Sequence, residues 1–295
     1  MIHFLSISES ILLFISGFGI VQGLLLAALL FFHPRSDRSV TTFLALHILF
    51  VSLAMTMPFT VRLISWQRGN LMQPFLLLPA IFLYLYLRSF KERINLKRTL
   101  PHLLVFSLFL IVVLCNVSIN TAKYANVKIP PKEVFHDPFN IIVTGINYLI
   151  KIVYYFLSRR TLITYQRSIQ QLFSETSRIN LSWAKALVNG YLFLLVAGII
   201  SLLLMMSYPQ HFNLLLLIDV AVATPYIYLA TYKGLTQPTI WQWHAGMNKE
   251  QVEEKILEAE KIEDSIIDEK DRVAKPGPDE IKIKTIAGKI VALME

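Results

Sequence analysis

Charge is scarce in this chain. Only 16% of its 295 residues are Asp, Glu, Lys or Arg, against about 25% in a soluble domain. With 55% hydrophobic residues and a mean hydropathy of +0.53, that deficit excludes an ordinary cytosolic enzyme. It also excludes disordered, collagen-like and coiled-coil rod classes. Cysteine is scarcer still. Cys115 stands alone, so no intramolecular disulfide and no cysteine metal cluster can form; within its apolar run it reads as a small buried hydrophobe. Catalytic motifs are missing too: there is no H-E-x-x-H, no phosphate loop and no G-x-G-x-x-G. No two acids share an apolar run, which argues against an intramembrane aspartic protease. Ser52, His47 and Asp219 make a triad only by free choice. The expectation is a protein with no enzymatic activity, no cofactor and no metal.

What is present is apolar sequence in long runs. A membrane helix needs roughly 20 mostly apolar residues, because the hydrocarbon is about 30 Å thick. Seven such runs are readable, at 11–32, 40–64, 71–90, 100–119, 139–158, 183–207 and 212–232. The fifth is the weakest, being interrupted by Asn147 and Lys151. No Lys or Arg precedes the first run, which is also too long for a signal-peptide core, so it reads as a retained span. The expected fold is an all-α membrane protein, a bundle of seven transmembrane helices with a cytoplasmic helical tail. Its organisation is a seven-span domain at 1–240, a charged linker at 241–278 and the start of a further domain at 279–295.

The basic charge is placed as a multi-pass protein places it. From Asn248 onward there are nine Lys/Arg against thirteen Asp/Glu, a net of −4, and the preceding residues net +12. The first, third and fifth loops hold twelve Lys/Arg, among them Arg35, Arg88, Lys97, Arg159 and Arg160, and the opposite side holds five. Positive charge stays inside, so the N-terminus is expected outside and the tail in the cytoplasm. Trp66, Trp183, Trp241, Trp243, Tyr124, Tyr208 and Tyr232 fall near span ends, where amphipathic rings anchor at the interface.

The tail changes character. At 250–271, Val252, Ile256, Ala259, Ile262 and Ile266 form one helical stripe, long enough for a solvated linker helix or a short pairing face between two copies. Lys275-Pro-Gly-Pro breaks it. A second stripe, Ile283, Ile286, Ile290 and Leu293, runs to Glu295 without a capping signal. It reads as the opening helix of a truncated domain.

Ionisable groups inside spans are costly and face the bundle interior or a cavity. Asp219 is the outstanding one, in an apolar stretch of the seventh run. Lys151 is its natural partner: their Cα atoms should lie about 10 and 18 Å from the outer ends of their spans, an offset that a lysine stem partly covers. Asn147 lies one turn before Lys151. These three, Asp219, Lys151 and Asn147, are the candidate ligand-binding residues. His47, Asn116, Tyr148, Asn189 and Thr224 read as interhelical polar contacts, and Pro58, Pro74, Pro79 and Pro225 should kink or end helices. No internal repeat with broken helices is evident, which weighs against a transporter.

Five segments resemble one family. They are Gly19-Ile-Val-Gln-Gly-Leu-Leu-Leu, Thr42-Phe-Leu-Ala-Leu, Leu78-Pro-Ala-Ile-Phe-Leu-Tyr-Leu-Tyr-Leu-Arg-Ser, Leu100-Pro-His-Leu and Tyr232-Lys-Gly-Leu-Thr-Gln-Pro. In this order, across about residues 10–240, they look like the membrane half of Bacteroidetes-type AraC-family transcriptional regulators. Leu78 stands where that family often has Gly, and the proline of the fourth segment is displaced. The resemblance implies a bacterial inner-membrane sensor for transcription, whose partners are the lipid bilayer and a small-molecule or membrane signal. In such regulators DNA is read by two C-terminal helix-turn-helix units, and those motifs are absent here. A small-molecule transporter and a membrane scaffold that recruits a cytoplasmic partner are the rival classes.

Overall fold

The computed structural model describes residues 7–32, 38–63, 70–90, 94–124, 136–172 and 181–235. The linker at 241–278, the stretch at 279–295 and the last residues of the fifth family-like segment lie outside them, as do Trp66, Trp241 and Trp243.

The described residues are helical, with no strand among them. The helices are α1 (Ile7–Phe31), α2 (Arg38–Ala54), α3 (Met57–Leu63), α4 (Leu78–Arg88), α5 (Leu96–Tyr124), α6 (Pro138–Leu172), α7 (Ser182–Ser207) and α8 (Phe212–Leu235). Six apolar helices are long enough to cross a membrane: α1, the α2–α3 unit over Thr41–Thr60, α5, α6, α7 and α8.

The third expected span takes a different form. Two 3₁₀ turns, Asn70–Met72 and Phe75–Leu77, lead into the 11-residue α4. Pro74 and Pro79 account for this, since neither can donate the backbone hydrogen bond that would carry one continuous helix through the segment. α4 is the most enclosed element: Ala80, Ile81, Leu83, Leu85 and Tyr86 are fully buried. It packs on α2 and α6. Around it, α1 packs on α2 and α8, α8 on α7, and α7 on α6, while α5 lies against α6.

The other prolines act as their positions dictate. Pro58 follows a turn at Met55–Thr56 that separates α2 from α3, while α8 continues through Pro225. α6 runs for 35 residues, about 52 Å at 1.5 Å per residue. It therefore extends well past the expected inner end at Ser158, carrying Arg159, Arg160 and Arg167 with it.

Small residues shape the α1–α2 crossing. Gly19 and Gly23 sit one turn apart on α1, and a Cβ at Gly23 would run into the Ser52 side chain of α2. At Gly19 it would run into Met55. This is the close backbone approach that Gly-x-x-x-Gly permits in membranes. Between these glycines and α8, the Tyr228 hydroxyl donates to Gln22 Oε1.

Two sequence expectations are corrected. Trp183 is not an interfacial anchor: it is 4% exposed and stands edge-on to Phe90 and Tyr86, with centroids 5.4 and 6.0 Å away. Cys115 is exposed, not buried. It shares α5 with exposed Leu108, Ile111, Leu114 and Ile119. In a bilayer an apolar run faces lipid as readily as protein, so an apolar setting does not imply burial.

Candidate functional site

A stripe of polar residues runs along α6: Asn140, Thr144, Asn147, Tyr148 and Lys151, at spacings of four, three, one and three. In a helix these fall on one face, and here the face lines a cavity of about 410 Å³. The opposite walls are Asn70 and Gln73 of the 3₁₀ segment, Gly198 and Met206 of α7, and Leu216 and Asp219 of α8. Asp219, Lys151 and Asn147, the three residues singled out from the sequence, therefore surround a single space. A second cavity of about 220 Å³ shares Tyr148, Lys151 and Asp219 and reaches Pro79 and Tyr191.

Each side chain is held by a specific neighbour. Asn147 Nδ2 donates to the Gln73 carbonyl at 3.1 Å. A carbonyl can only accept, so this bond fixes the amide's orientation. Asn147 Oδ1 then has no donor from the protein, and the residue is 3% exposed. Gln73 Nε2 donates to Asn70 Oδ1 at 3.3 Å, which leaves Gln73 Oε1 without a donor as well. Tyr148 donates to the Gly198 carbonyl at 3.0 Å. The Lys151 ammonium sits 4.8 Å from the Tyr148 ring centroid, within cation–π range.

Asp219 has Lys151 as its charged neighbour and the Ser201 hydroxyl beside it. No direct ion pair closes between Asp219 and Lys151, and Asp219 Oδ1 lacks a donor. The site thus holds one positive and one negative charge, kept apart, together with three buried oxygens that no protein group satisfies. A buried polar atom left unpaired costs about 1–3 kcal/mol. Such a cluster inside a membrane bundle is sustained by water or a ligand that supplies the missing donors.

The remaining polar residues have structural partners. His47 Nδ1 donates to the Pro79 carbonyl at 2.8 Å, and its Nε2 lies 2.7 Å from the Tyr226 hydroxyl, joining α2, α4 and α8. Ser52 donates to the Ile48 carbonyl at 2.8 Å, so the Ser52–His47–Asp219 grouping is not assembled. Asn116 donates to Asn140 Oδ1 at 3.0 Å, tying α5 to α6. His102 Nδ1 and the Tyr154 hydroxyl are 2.8 Å apart. Thr224 bonds the Val220 carbonyl of its own helix, and Asn189 is exposed.

Sequence reasoning missed Gln73 and Asn70 as cavity residues. They stood at the edge of an expected span, where polar residues are ordinary. Asn140 and Thr144 carried a readable signal, the continuation of the Asn147–Lys151 spacing towards the start of α6. Among the described residues no group of three or more His, Cys, Asp or Glu is placed to hold a metal ion. The chain matches no protein-family model, no curated protein and no solved structure.

Proposed function

We propose that this chain is a membrane-embedded sensory domain that binds a small molecule in the cavity between α6, α7, α8 and the 3₁₀ segment. The observation that carries the reading is the convergence of Asp219, Lys151 and Asn147 on one space with unsatisfied oxygens in its wall. Ionisable groups buried in a membrane bundle mark functional sites by default. The five family-like segments supply the class of output, an AraC-type regulator of transcription in a bacterial inner membrane.

The topology proposed is seven crossings, with the N-terminus outside and the tail in the cytoplasm. The third crossing is the 3₁₀ segment plus α4. Six 3₁₀ residues at about 2 Å and eleven helical residues at about 1.5 Å reach about 28 Å when in line, close to the hydrocarbon thickness. A ligand shifts such a bundle only if it binds one arrangement better than another. The elements meeting at the cavity are the ones such a shift would move.

A transporter is the second reading, and one observation favours it. An interrupted segment borders a charged cavity, as in carriers that bind substrate at broken helices. The test compares Asp219→Asn with wild type in the full chain, by membrane insertion and by amide hydrogen exchange in residues 249–295 as the readout of response. The sensor reading expects normal insertion and an altered response. A wild-type response, or solute flux in proteoliposomes that survives deletion of residues 249–295, would overturn it.

A further inference from the structure

The chemistry of the cavity wall specifies what fits. Asn147 Oδ1, Gln73 Oε1 and Asp219 Oδ1 are acceptors without a donor, and all three residues line the cavity of about 410 Å³. A primary ammonium carries three N–H donors and no acceptor. It can donate to such oxygens and neutralise the carboxylate of Asp219. Lys151, on the same wall, offers a positive charge braced on Tyr148. That charge argues against a bare inorganic cation or a simple amine, which Lys151 would repel. An anion alone would leave the oxygens unsatisfied. Much of the remaining lining is apolar, with Ile141, Leu202, Leu203, Met205 and Met206.

We propose that the cavity binds a small zwitterion with an apolar body, of the hydrophobic α-amino-acid class. Its ammonium faces Asn147, Gln73 and Asp219, its carboxylate faces Lys151, and its side chain lies among the Leu and Met residues. This deepens the ligand-binding reading above and rests on it. Asp219 reads the amine and Lys151 reads the acid, so removing either group from the ligand or its partner from the protein should cost the same contact once.

The test uses the full chain in lipid nanodiscs with radiolabelled leucine. The competitors are isoamylamine, which is leucine without its carboxylate, and isocaproate, which is leucine without its amine. Leucine should bind saturably and at least ten-fold more tightly than either analogue. Asp219→Asn should weaken leucine and isoamylamine about ten-fold and tighten isocaproate, which the carboxylate repels; Lys151→Met should weaken leucine and isocaproate and tighten isoamylamine, which the ammonium repels. A second variant guards against misfolding. Gly145 lines the cavity and a Cβ there would meet nothing within 4 Å, so Gly145→Phe should keep wild-type thermal stability while its ring narrows the site and weakens leucine at least ten-fold. Equal binding of leucine and either analogue overturns the zwitterion while leaving a ligand-binding cavity in place. Absence of binding by all three probes, or undiminished leucine binding in Gly145→Phe, overturns the proposal outright. Amide exchange in residues 249–295 of Asp219→Asn judges the sensor reading separately.

Discussion

The Nε2 of His47 on α2 and the hydroxyl of Tyr226 on α8 are 2.7 Å apart, and both residues are buried. The direction of this bond follows from the other side of the ring. Nδ1 lies 2.8 Å from the Pro79 carbonyl, which can only accept, so Nδ1 carries the proton and the neutral ring's Nε2 accepts from tyrosine. Tyr226 also lies 3.4 Å from the Leu187 carbonyl, but one hydroxyl has one proton. The shorter contact holds it. A single imidazole thereby fastens α2 to α4 and α8, next to α7.

This arrangement predicts that Tyr226→Phe strands a buried ring nitrogen. The expected loss is about 1–2 kcal/mol, read as a lower thermal midpoint in detergent. His47→Phe should lose a similar amount, and the double variant less than the sum, because both remove one bond. Additive losses would show that the two residues act separately. Nitrogen-15 NMR of histidine-labelled protein should report Nδ1 as the protonated nitrogen.

The α1–α2 crossing predicts opposite fates for two glycines on one helix. A Cβ at Gly23 would collide with Ser52, whereas at Gly17 it would meet the Phe59 ring at an ordinary 3.5 Å. Gly23→Ala should therefore cost about 1–3 kcal/mol of overpacking. Gly17→Ala should stay within about 0.5 kcal/mol of wild type. Equal effects at the two positions would contradict the crossing.

Cys115 lies on the exposed face of α5. In native membranes it should react with a lipid-soluble maleimide and resist a membrane-impermeant one. Fast labelling by the impermeant reagent would place this face of α5 against water.

Charge coupling across the cavity predicts non-additivity of another kind. Lys151→Met leaves Asp219 without its charged neighbour, and Asp219→Asn does the reverse. The double variant should be less destabilised than the two single losses together, by about 0.5–3 kcal/mol. Thermal midpoints of the four proteins in nanodiscs measure it, and strict additivity would mean the charges do not interact.

How much of this was legible in the sequence depends on what the solvent is. The long spans were readable because hydrocarbon demands apolar length. Their inward faces were not, because lipid accepts Leu, Ile and Phe as readily as a protein core does. Hence Trp183 was expected at an interface and lies in the core, and Cys115 was expected inside and is exposed. Polar residues do distinguish the faces. Asn147, Lys151 and Asp219 were legible as inward-pointing for that reason, and the Asn140–Thr144 continuation was there to be read. Gly19 and Gly23 were noticed for their resemblance to a family segment, yet in the fold they serve as a packing notch. The shape of the third segment was the hardest to foresee. Its hydropathy is that of a span, and two prolines decide that it begins as 3₁₀ turns.

The most direct test of the sensor account is amide hydrogen exchange in the full chain in nanodiscs, comparing wild type with Asp219→Asn. Coupling between two sites is reciprocal and appears as a free-energy change at the second when the first is altered. The account predicts that substitution at the cavity changes protection both in the helices lining it and in residues 249–295. Changes confined to the cavity, with exchange in 249–295 identical to wild type, would contradict it.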